Sequence, residues 1–409
     1  MIQQLKIALR DLGRNRRRSF FSAFALALGL GLLIFFAAMV NGMVDDSSET
    51  TIRLSSGHLQ VRAKTYEENV TSLAWEDLVE DPDQIAAQVA SLEPVQVATP
   101  RLFATGLTTF GKKTTGLSIM GVDPVSQAND PYRQGLINGE FLDEGDREGI
   151  LIGLPLANKY ELEVGDSISM LINTSNGDID EQVFTVRGIY STETNVLDKR
   201  TVLMPLDKAQ AITRTENHAS VIYVLLDDRN NAGAVAAALQ TSAYQVVTWD
   251  ELYELVGLMD SFMDAVMVVL SIGLLAMTSV IIVNTLVMSV RERTREIGIL
   301  SALGMRGRSI MAKFLAETSI LAVGGVIMGI VLGLIGSWAF SINGFYMGDL
   351  DMSSAGMIMT DTMYAEVSMR DVVVLSLEAF IITMIAGLIP ARMAARLEPV
   401  AALRGGKKF

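Results

Sequence analysis

The sequence predicts a membrane α-helical protein with four transmembrane helices and a large α+β extracytoplasmic domain inserted between the first and second of them. Half of its 409 residues are hydrophobic and only 19% are charged, a balance typical of a membrane protein with a sizeable soluble portion. Four long apolar stretches occur, and one long polar segment separates the first from the second. That polar segment alternates between strand-like and helix-like patterns.

The four apolar stretches supply the predicted spans. Ser19–Val40, Ala265–Val290 and Thr318–Gly348 contain no charged residue, and Val372–Ile389 contains only Glu378. A hydrocarbon core of ~30 Å needs about 20 apolar residues in a helix, so each stretch is long enough or nearly so. The first lacks a small-x-small cleavage site, and we therefore interpret it as an uncleaved span and not as a signal peptide.

The distribution of basic residues predicts the orientation. Three short segments, residues 1–18, residues 290–314 and the residues after 390, hold 17 of the 33 Lys and Arg residues. Basic residues next to a span stay on the cytoplasmic side. We therefore expect both termini and the central loop to be cytoplasmic. Residues 44–261 would lie outside, and their 15 basic against 34 acidic residues argue against a nucleic-acid partner.

These patterns give a complete set of predicted boundaries. The segments are an amphipathic N-terminal helix 1–18, TM1 19–43, the extracytoplasmic domain 44–261, TM2 262–290, a cytoplasmic loop 291–314, TM3 318–342, an outer loop 343–367, TM4 368–390 and a cytoplasmic tail 391–409. For residues 1–18 a solvated basic arm is the alternative to an interfacial helix.

The extracytoplasmic domain shows a weak internal repeat of strand, helix and strand. The first copy covers residues 58–99 and the second covers residues 221–248. Two such units at the two ends of the segment predict one α+β lobe built from residues 44–124 and 216–261. The intervening residues 125–215 contain mostly strand patterns and predict an inserted β-rich lobe.

Catalytic chemistry is nearly absent from the sequence. With no cysteine, the chain has no disulfide and no thiolate site. His58 and His218 lack companions at metal-ligand spacing, so we expect no metal site and no catalytic residue. The segment Gly106–Lys112 imitates the start of a phosphate-binding loop, but Lys113 stands where Ser or Thr is needed. We therefore expect the chain not to be an enzyme.

Glu378 is an ionisable residue inside a predicted span. Such a residue is a functional hypothesis by default because it is costly to bury in lipid. It could hydrogen-bond a Ser or Thr on a neighbouring span, for instance Ser319 or Ser337, or take a proton and remain neutral. A structural role and a role in coupling both stay open.

Two further patterns lie at helical spacing. Gly325, Gly329 and Gly333 recur every four residues and predict a face on which another helix packs closely. Five methionines and one phenylalanine lie near the outer ends of the first two spans. Their flexible side chains could bind the acyl chains of a substrate, or they could simply pack in the protein core. These candidate substrate-path residues are Met39, Met43, Met259, Phe262, Met263 and Met267.

The central basic segment, Val290–Phe314, contains apolar residues at helical spacing, with Gly304 and Gly307 as stop signals. It is either an ordinary positive-inside loop or an amphipathic helix that docks on a cytoplasmic partner.

Two motifs within this topology are specific. SVRERTREIGILSALGM (Ser289–Met305) follows the second span, and LIPARMAARLEPVAALR (Leu388–Arg404) closes the fourth. Together with the order of one span, a large outer domain and three more spans, they resemble the permease family of MacB, FtsX and the lipoprotein-releasing Lol complex, the type VII ABC transporters. The resemblance covers the whole chain in topology. Its length, the NGM turn after the first span and SGHLQVRAK (Ser56–Lys64) are most similar to the Lol branch.

The resemblance implies that the central segment is a coupling helix seated on a separate cytoplasmic ATPase, present in two copies, since no fused N-terminal ATPase occurs in these residues. ATP and Mg²⁺ would be bound by that partner, and this chain would hold no cofactor. The implied ATPase-coupling residues are Arg291, Glu292, Arg293, Arg295, Glu296, Ile297, Gly298, Ile299, Leu300, Leu303 and Gly304.

The family further implies a bacterial inner-membrane location, a second permease copy, identical or paralogous, and an outer acceptor or adaptor. The expected function is mechanotransmission, in which ATP-driven motion extracts a lipoprotein or another amphiphile from the outer leaflet. The alternatives are FtsX-like signalling to a cell-wall hydrolase and MacB-like efflux of peptides or antibiotics.

Overall fold

The computed structural model describes most of the chain: residues 16–67, 71–110, 113–240, 243–252, 254–346 and 360–398. The predicted N-terminal helix, most of the outer loop and the end of the tail lie largely outside these ranges. The chain divides into two compact units. The helical unit comprises Met1–Met43, Asp260–Phe345 and Met363–Phe409, and the outer unit comprises Val44–Met259 and Tyr346–Thr362.

Among the described residues, four helices are long and apolar enough to cross a membrane, as the sequence predicts. The α-helices in the described chain are α1 (Arg16–Thr51), α2 (Pro82–Ala90), α3 (Asp130–Gln134), α4 (Leu154–Tyr160), α5 (Asn195–Asp198), α6 (Leu206–Thr213), α7 (Ala232–Leu239), α8 (Trp249–Leu252), α9 (Glu254–Glu292), α10 (Thr294–Ala302), α11 (Gly307–Asn343) and α12 (Met369–Ala395). The four long apolar helices are α1, α9, α11 and α12.

Helix α1 packs on α11 along the predicted glycine stripe. Gly325, Gly329 and Gly333 are buried, and a Cβ added to any of them would lie within 3.0 Å of an α1 side chain. The side chains that face the glycines are spaced one turn apart on α1: Leu26, Leu30 and Ile34. The two backbones therefore approach as closely as they do only because the glycines carry no side chain.

Polar contacts join α1 to the other two long helices. Ser22 Oγ lies 2.8 Å from Thr285 Oγ1 of α9, and Asn41 Nδ2 donates to Asp371 Oδ2 of α12 over 2.6 Å. The backbone of α1 also lies close to α9 at Gly29, where an added Cβ would be 2.8 Å from Thr278 Cγ2. Helix α1 thus contacts all three of the other long helices of the helical unit.

The outer unit is organised around one ten-stranded sheet. The strands in the described chain are β1 (Leu59–Ala63), β2 (Val79–Glu80), β3 (Val95–Phe110), β4 (Lys113–Val122), β5 (Leu136–Gly139), β6 (Gly149–Gly153), β7 (Ser167–Asn173), β8 (Ile179–Tyr190), β9 (Thr201–Pro205), β10 (His218–Ala219), β11 (Val221–Leu226), β12 (Tyr244–Thr248), β13 (Phe345–Tyr346) and β14 (Thr362–Met363). The order in the large sheet is β12-β1-β11-β3-β4-β9-β6-β8-β5, with β7 paired to β3 and β8.

Strand β3 joins the two lobes of this unit. Its first half pairs with β11, and from Arg101 onward it pairs with β4. Leu102 and Ile119, which lie before residue 125, pack in one core with Ile150 and Phe184 of the β-rich lobe. The β-rich core therefore begins within β3, upstream of the predicted boundary at residue 125, because one 16-residue strand serves both lobes.

The glycine stripe generates a stability prediction. Gly329→Leu inserts a side chain where a Cβ alone would lie 2.9 Å from Leu30 Cβ and 3.1 Å from the Ala27 carbonyl oxygen. Overpacking of this kind costs about 1–3 kcal/mol, so we expect a lower unfolding temperature of the full chain in detergent. The matched control is Gly324→Leu, since a Cβ at Gly324 meets nothing within 4 Å. Equal unfolding temperatures for the two variants would contradict the packing role.

Candidate functional site

A short helix, α10, lies between the second and third long helices and forms the candidate site. Helix α9 ends at Glu292, Arg293 leaves helical geometry with φ −101° and ψ 12°, and α10 begins one residue later. The Thr294 hydroxyl donates to the carbonyl oxygens of Val290 and Arg291, which are left free as α9 ends. The break between the helices is therefore hydrogen-bonded and compact.

The far end of α10 is closed by a Schellman motif. The Met305 N–H donates to the Leu300 carbonyl and the Gly304 N–H donates to the Ser301 carbonyl, both over 3.0 Å. Gly304 has φ +91°, a conformation that favours glycine at this position. The glycine thus ends the helix where the sequence placed a stop signal.

The inner face of α10 packs on the ends of α11 and α12. Ile297 is 4% exposed and belongs to one apolar cluster, and Gly298 beside it is also buried. The other buried members of that cluster are Val290, Ile310, Phe314, Ala391 and Ala394.

A buried ion pair fixes the start of α10. Arg293 Nη1 lies 2.9 Å from Glu317 Oε1 of α11, and the two side chains are 12% and 4% exposed. Arg293 was expected to contact an ATPase, and here it points into the protein. Glu317 was not among the predicted site residues. The sequence did contain a signal for its role, because Glu317 lies directly before an uncharged stretch and a few residues after a basic loop.

The outer face of α10 and the turn after it expose three large apolar side chains. Ile299 is 45% exposed, Leu303 80% and Met305 40%. Four charged coupling residues around them are also exposed: Arg291, Glu292, Arg295 and Glu296. Leu300 is half-buried. An apolar centre with a charged border has the composition of a protein-binding surface.

The predicted substrate-path residues do not share one environment. Phe262 is 61% exposed, whereas Met267 packs against the apolar core of the helical unit. The remaining described methionines, Met39, Met43 and Met263, are half-buried, and the side chain of Met259 lies outside the described residues.

Glu378 is half-buried on α12. Its Oε2 atom is buried and has no hydrogen-bond partner within the described part of the chain. Ser337, one of the two partners proposed for it, donates instead to the Gly333 carbonyl of its own helix. Among the described residues no cluster of three metal-ligating side chains occurs.

Two family models match the sequence in agreement with this architecture. The MacB-like periplasmic core domain matches residues 19–242, more than half of the chain, and the FtsX-like permease C-terminal region matches residues 268–399. The chain belongs to this family of ABC transporter permeases. The α10 site lies within the second match, and the large sheet lies within the first and just beyond it.

The relatives of this permease include two Lol proteins and a MacB protein. The lipoprotein-releasing system transmembrane protein LolE of Haemophilus influenzae is 24% identical, over 94% of this chain and 93% of the relative. LolC of Neisseria meningitidis is 23% identical, over 97% and 98%. The macrolide export ATP-binding/permease protein MacB of Vibrio parahaemolyticus is 22% identical over 98% of this chain, which spans 60% of that longer protein.

The ion pair predicts different effects on stability for two arginines that lie two positions apart. Arg293→Ala removes one partner of a buried pair, which typically costs about 3–5 kcal/mol, so we expect a clearly lower unfolding temperature of the detergent-solubilised chain. Arg295→Ala is the matched control, because Arg295 is exposed and surface substitutions typically change stability by about 0.5 kcal/mol or less. Comparable losses in the two variants would show that the pair does not brace α10.

Proposed function

We propose that this permease is powered by a separate ATPase subunit that docks on the outer face of α10. The observation that carries the proposal is the exposed apolar centre formed by Ile299, Leu303 and Met305 on a helix whose opposite face is buried. Exposed large apolar groups with a charged border mark protein-binding surfaces. The relatives named LolC and LolE and the fused ATP-binding/permease protein MacB support an ATPase as the partner.

The packing of α10 suggests how force would pass into the membrane helices. Helix α10 is one residue away from α9, and the Arg293–Glu317 pair ties that junction to α11. A push on Leu303 would therefore move the ends of both helices, because buried side chains in a packed core shift together. The permease would act as a mechanical transmitter and leave ATP hydrolysis to its partner.

We further propose an amphiphilic, lipid-anchored substrate taken from the outer leaflet of a bacterial inner membrane. The support is the similarity to LolC and LolE over nearly the whole chain, together with the exposed Phe262 and half-buried Met263 near the start of α9. The working complex would contain two ATPase copies, a second identical or paralogous permease and an outer acceptor or adaptor. Both termini would be cytoplasmic.

Docking is tested at Leu303. We expect Leu303→Asp to weaken co-purification of the ATPase subunit by roughly tenfold or more, because placing a charge at an interface centre costs more than about 1.4 kcal/mol. Leu303→Met keeps the apolar volume and should retain binding. Since Leu303 is 80% exposed, the unfolding temperature of the permease alone should not change. Full co-purification of the aspartate variant would overturn the docking surface.

Transport is tested with the complex reconstituted in vesicles. We expect a lipid-anchored peptide to stimulate ATP hydrolysis and ATP to release that peptide, while the same peptide without its lipid should do neither. Release of soluble peptides or macrolides alone would favour efflux. ATP-dependent activation of a cell-wall hydrolase without release of any lipopeptide would favour signalling.

A further inference from the structure

The end of helix α1, from Val44 on, belongs to the outer unit, and three buried side chains of that unit contact the turn that follows it. After Thr51 the helix widens into one π-helical turn, Ile52–Ser56, and the chain then enters β1. The carbonyl groups at a helix end lack partners within the helix. Here the Arg53 and Leu54 carbonyls are met by side chains that come from β3, α3 and β11, and the Ile52 carbonyl, which accepts the Gly57 N–H, receives one of these contacts as well.

Arg101 is the central member of this group. It is fully buried, and it lies where β3 changes from pairing with β11 to pairing with β4. Its Nη1 donates to the Leu54 carbonyl and its Nη2 to the Ala128 carbonyl, each over 3.2 Å. Its guanidinium carbon lies 3.6 Å from the centre of the Tyr223 ring.

Two tyrosine hydroxyls complete the contacts. The Tyr132 hydroxyl donates to the same Leu54 carbonyl over 3.0 Å. The Tyr223 hydroxyl shares its hydrogen between the Ile52 and Arg53 carbonyls, each 2.9 Å away. Burial raises the pKa of Tyr223 to about 12, so the hydroxyl keeps its proton and remains a donor at neutral pH.

The charge of Arg101 makes this arrangement unusual. Within the described part of the chain, no carboxylate pairs with it, although an isolated buried charge is strongly unfavourable. The negative end of the helix dipole at the π-turn and the face of the Tyr223 ring are the compensating groups. If the helix end left, Arg101 would lose its Leu54 acceptor and would remain buried. The position in which the helix end contacts Arg101 is therefore favoured over one in which the helix end has moved away from it.

We propose that Arg101, Tyr132 and Tyr223 form a socket that locks the outer end of α1 to the sheet, so that displacement of α1 is passed to the outer unit. The attachment of the helix end to the sheet is argued from these contacts alone, whereas the transfer of motion from α1 to the outer unit rests on the ATP-driven function proposed above. The side chains are positioning residues, since they hold backbone carbonyls and need contact no substrate.

A matched set of tyrosine variants tests the lock. Tyr132→Phe combined with Tyr223→Phe removes both hydroxyls and keeps both rings. Tyr190→Phe is the control, because the Tyr190 hydroxyl is equally buried but donates to the Thr201 carbonyl within the sheet. The sequence contains no cysteine, so Thr50→Cys on α1 and Gln96→Cys on β3 place two spin labels in the full chain without background.

The distance between the labels reports whether the helix end is held. We expect one narrow distance distribution in the parent chain and in Tyr190→Phe, and a broadened one in the double phenylalanine variant. An unchanged width in the double variant would overturn the lock. Arg101→Met should broaden the distribution further, and circular dichroism of the same samples shows whether the sheet persists.

Transmission is measured as lipopeptide released per ATP hydrolysed by the reconstituted complex. Each lost hydrogen bond weakens the lock by roughly fivefold, so we expect the release ratio of the double variant to fall by about that factor or more, with ATP hydrolysis retained. If the distance distribution of the double variant broadens while its ratio of release to hydrolysis stays unchanged, the proposed transfer of motion is wrong. If the parent complex releases nothing, the proposed function and transmission both fail, while the distance distribution still decides the lock.

Discussion

The buried ion pair between Arg293 and Glu317 is the contact on which the candidate site depends. Two opposite charges removed from water are stable only when their geometry is good, and loss of either partner leaves the other buried without it. This requirement fixes the junction between α9 and α10 against α11. Only with that junction fixed does α10 keep Ile297 inside and Leu303 outside, which is the arrangement a docking partner needs.

Each unit of the permease holds a helix end through a buried arginine, but the charge is balanced differently. In the helical unit Arg293 has a carboxylate partner. In the outer unit Arg101 has backbone carbonyls and a tyrosine ring instead. An arginine that binds a carboxylate depends on the identity of one side chain. An arginine that binds backbone carbonyls depends instead on where the backbone lies. Arg101 is therefore suited to registering where a helix ends.

Much of the fold follows from local sequence patterns. The four spans follow from uncharged stretches, and the glycine stripe follows from a spacing of four residues that places Gly325, Gly329 and Gly333 on one face. The strands of the outer unit follow from alternation. Such patterns report which side of an element is apolar. They do not report which element lies opposite, so the sequence did not predict that the glycine stripe packs on α1.

The limits of sequence reasoning appear most clearly at single charged residues. Arg293 and Arg295 are alike in sequence, two positions apart in a basic segment, yet the side chain of Arg293 is only 12% exposed, whereas Arg295 is exposed. Arg293 is the non-helical residue before α10, whereas Arg295 lies in the first turn of α10, so the two side chains leave the backbone in different directions. The role of Arg101 was equally unpredictable, since nothing local marks a strand arginine whose acceptors are the Leu54 carbonyl 47 positions earlier and the Ala128 carbonyl 27 positions later. The joining of both lobes by β3 is a long-range pairing of the same kind.

The exposed face of α10 also indicates what kind of recognition the proposed docking would use. Arg291 and Arg295 are accompanied by Glu292 and Glu296, and Arg306 and Arg308, which follow Met305, are exposed as well, so the border carries four positive charges and two negative charges. A border with a positive excess favours an acidic partner surface, and its pattern adds specificity, since like charges placed opposite one another across an interface are unfavourable. The apolar centre supplies the buried contact area, and Leu303 is the most exposed of its three large side chains. The partner is therefore expected to present an apolar pocket for Leu303 with a charge pattern complementary to its border.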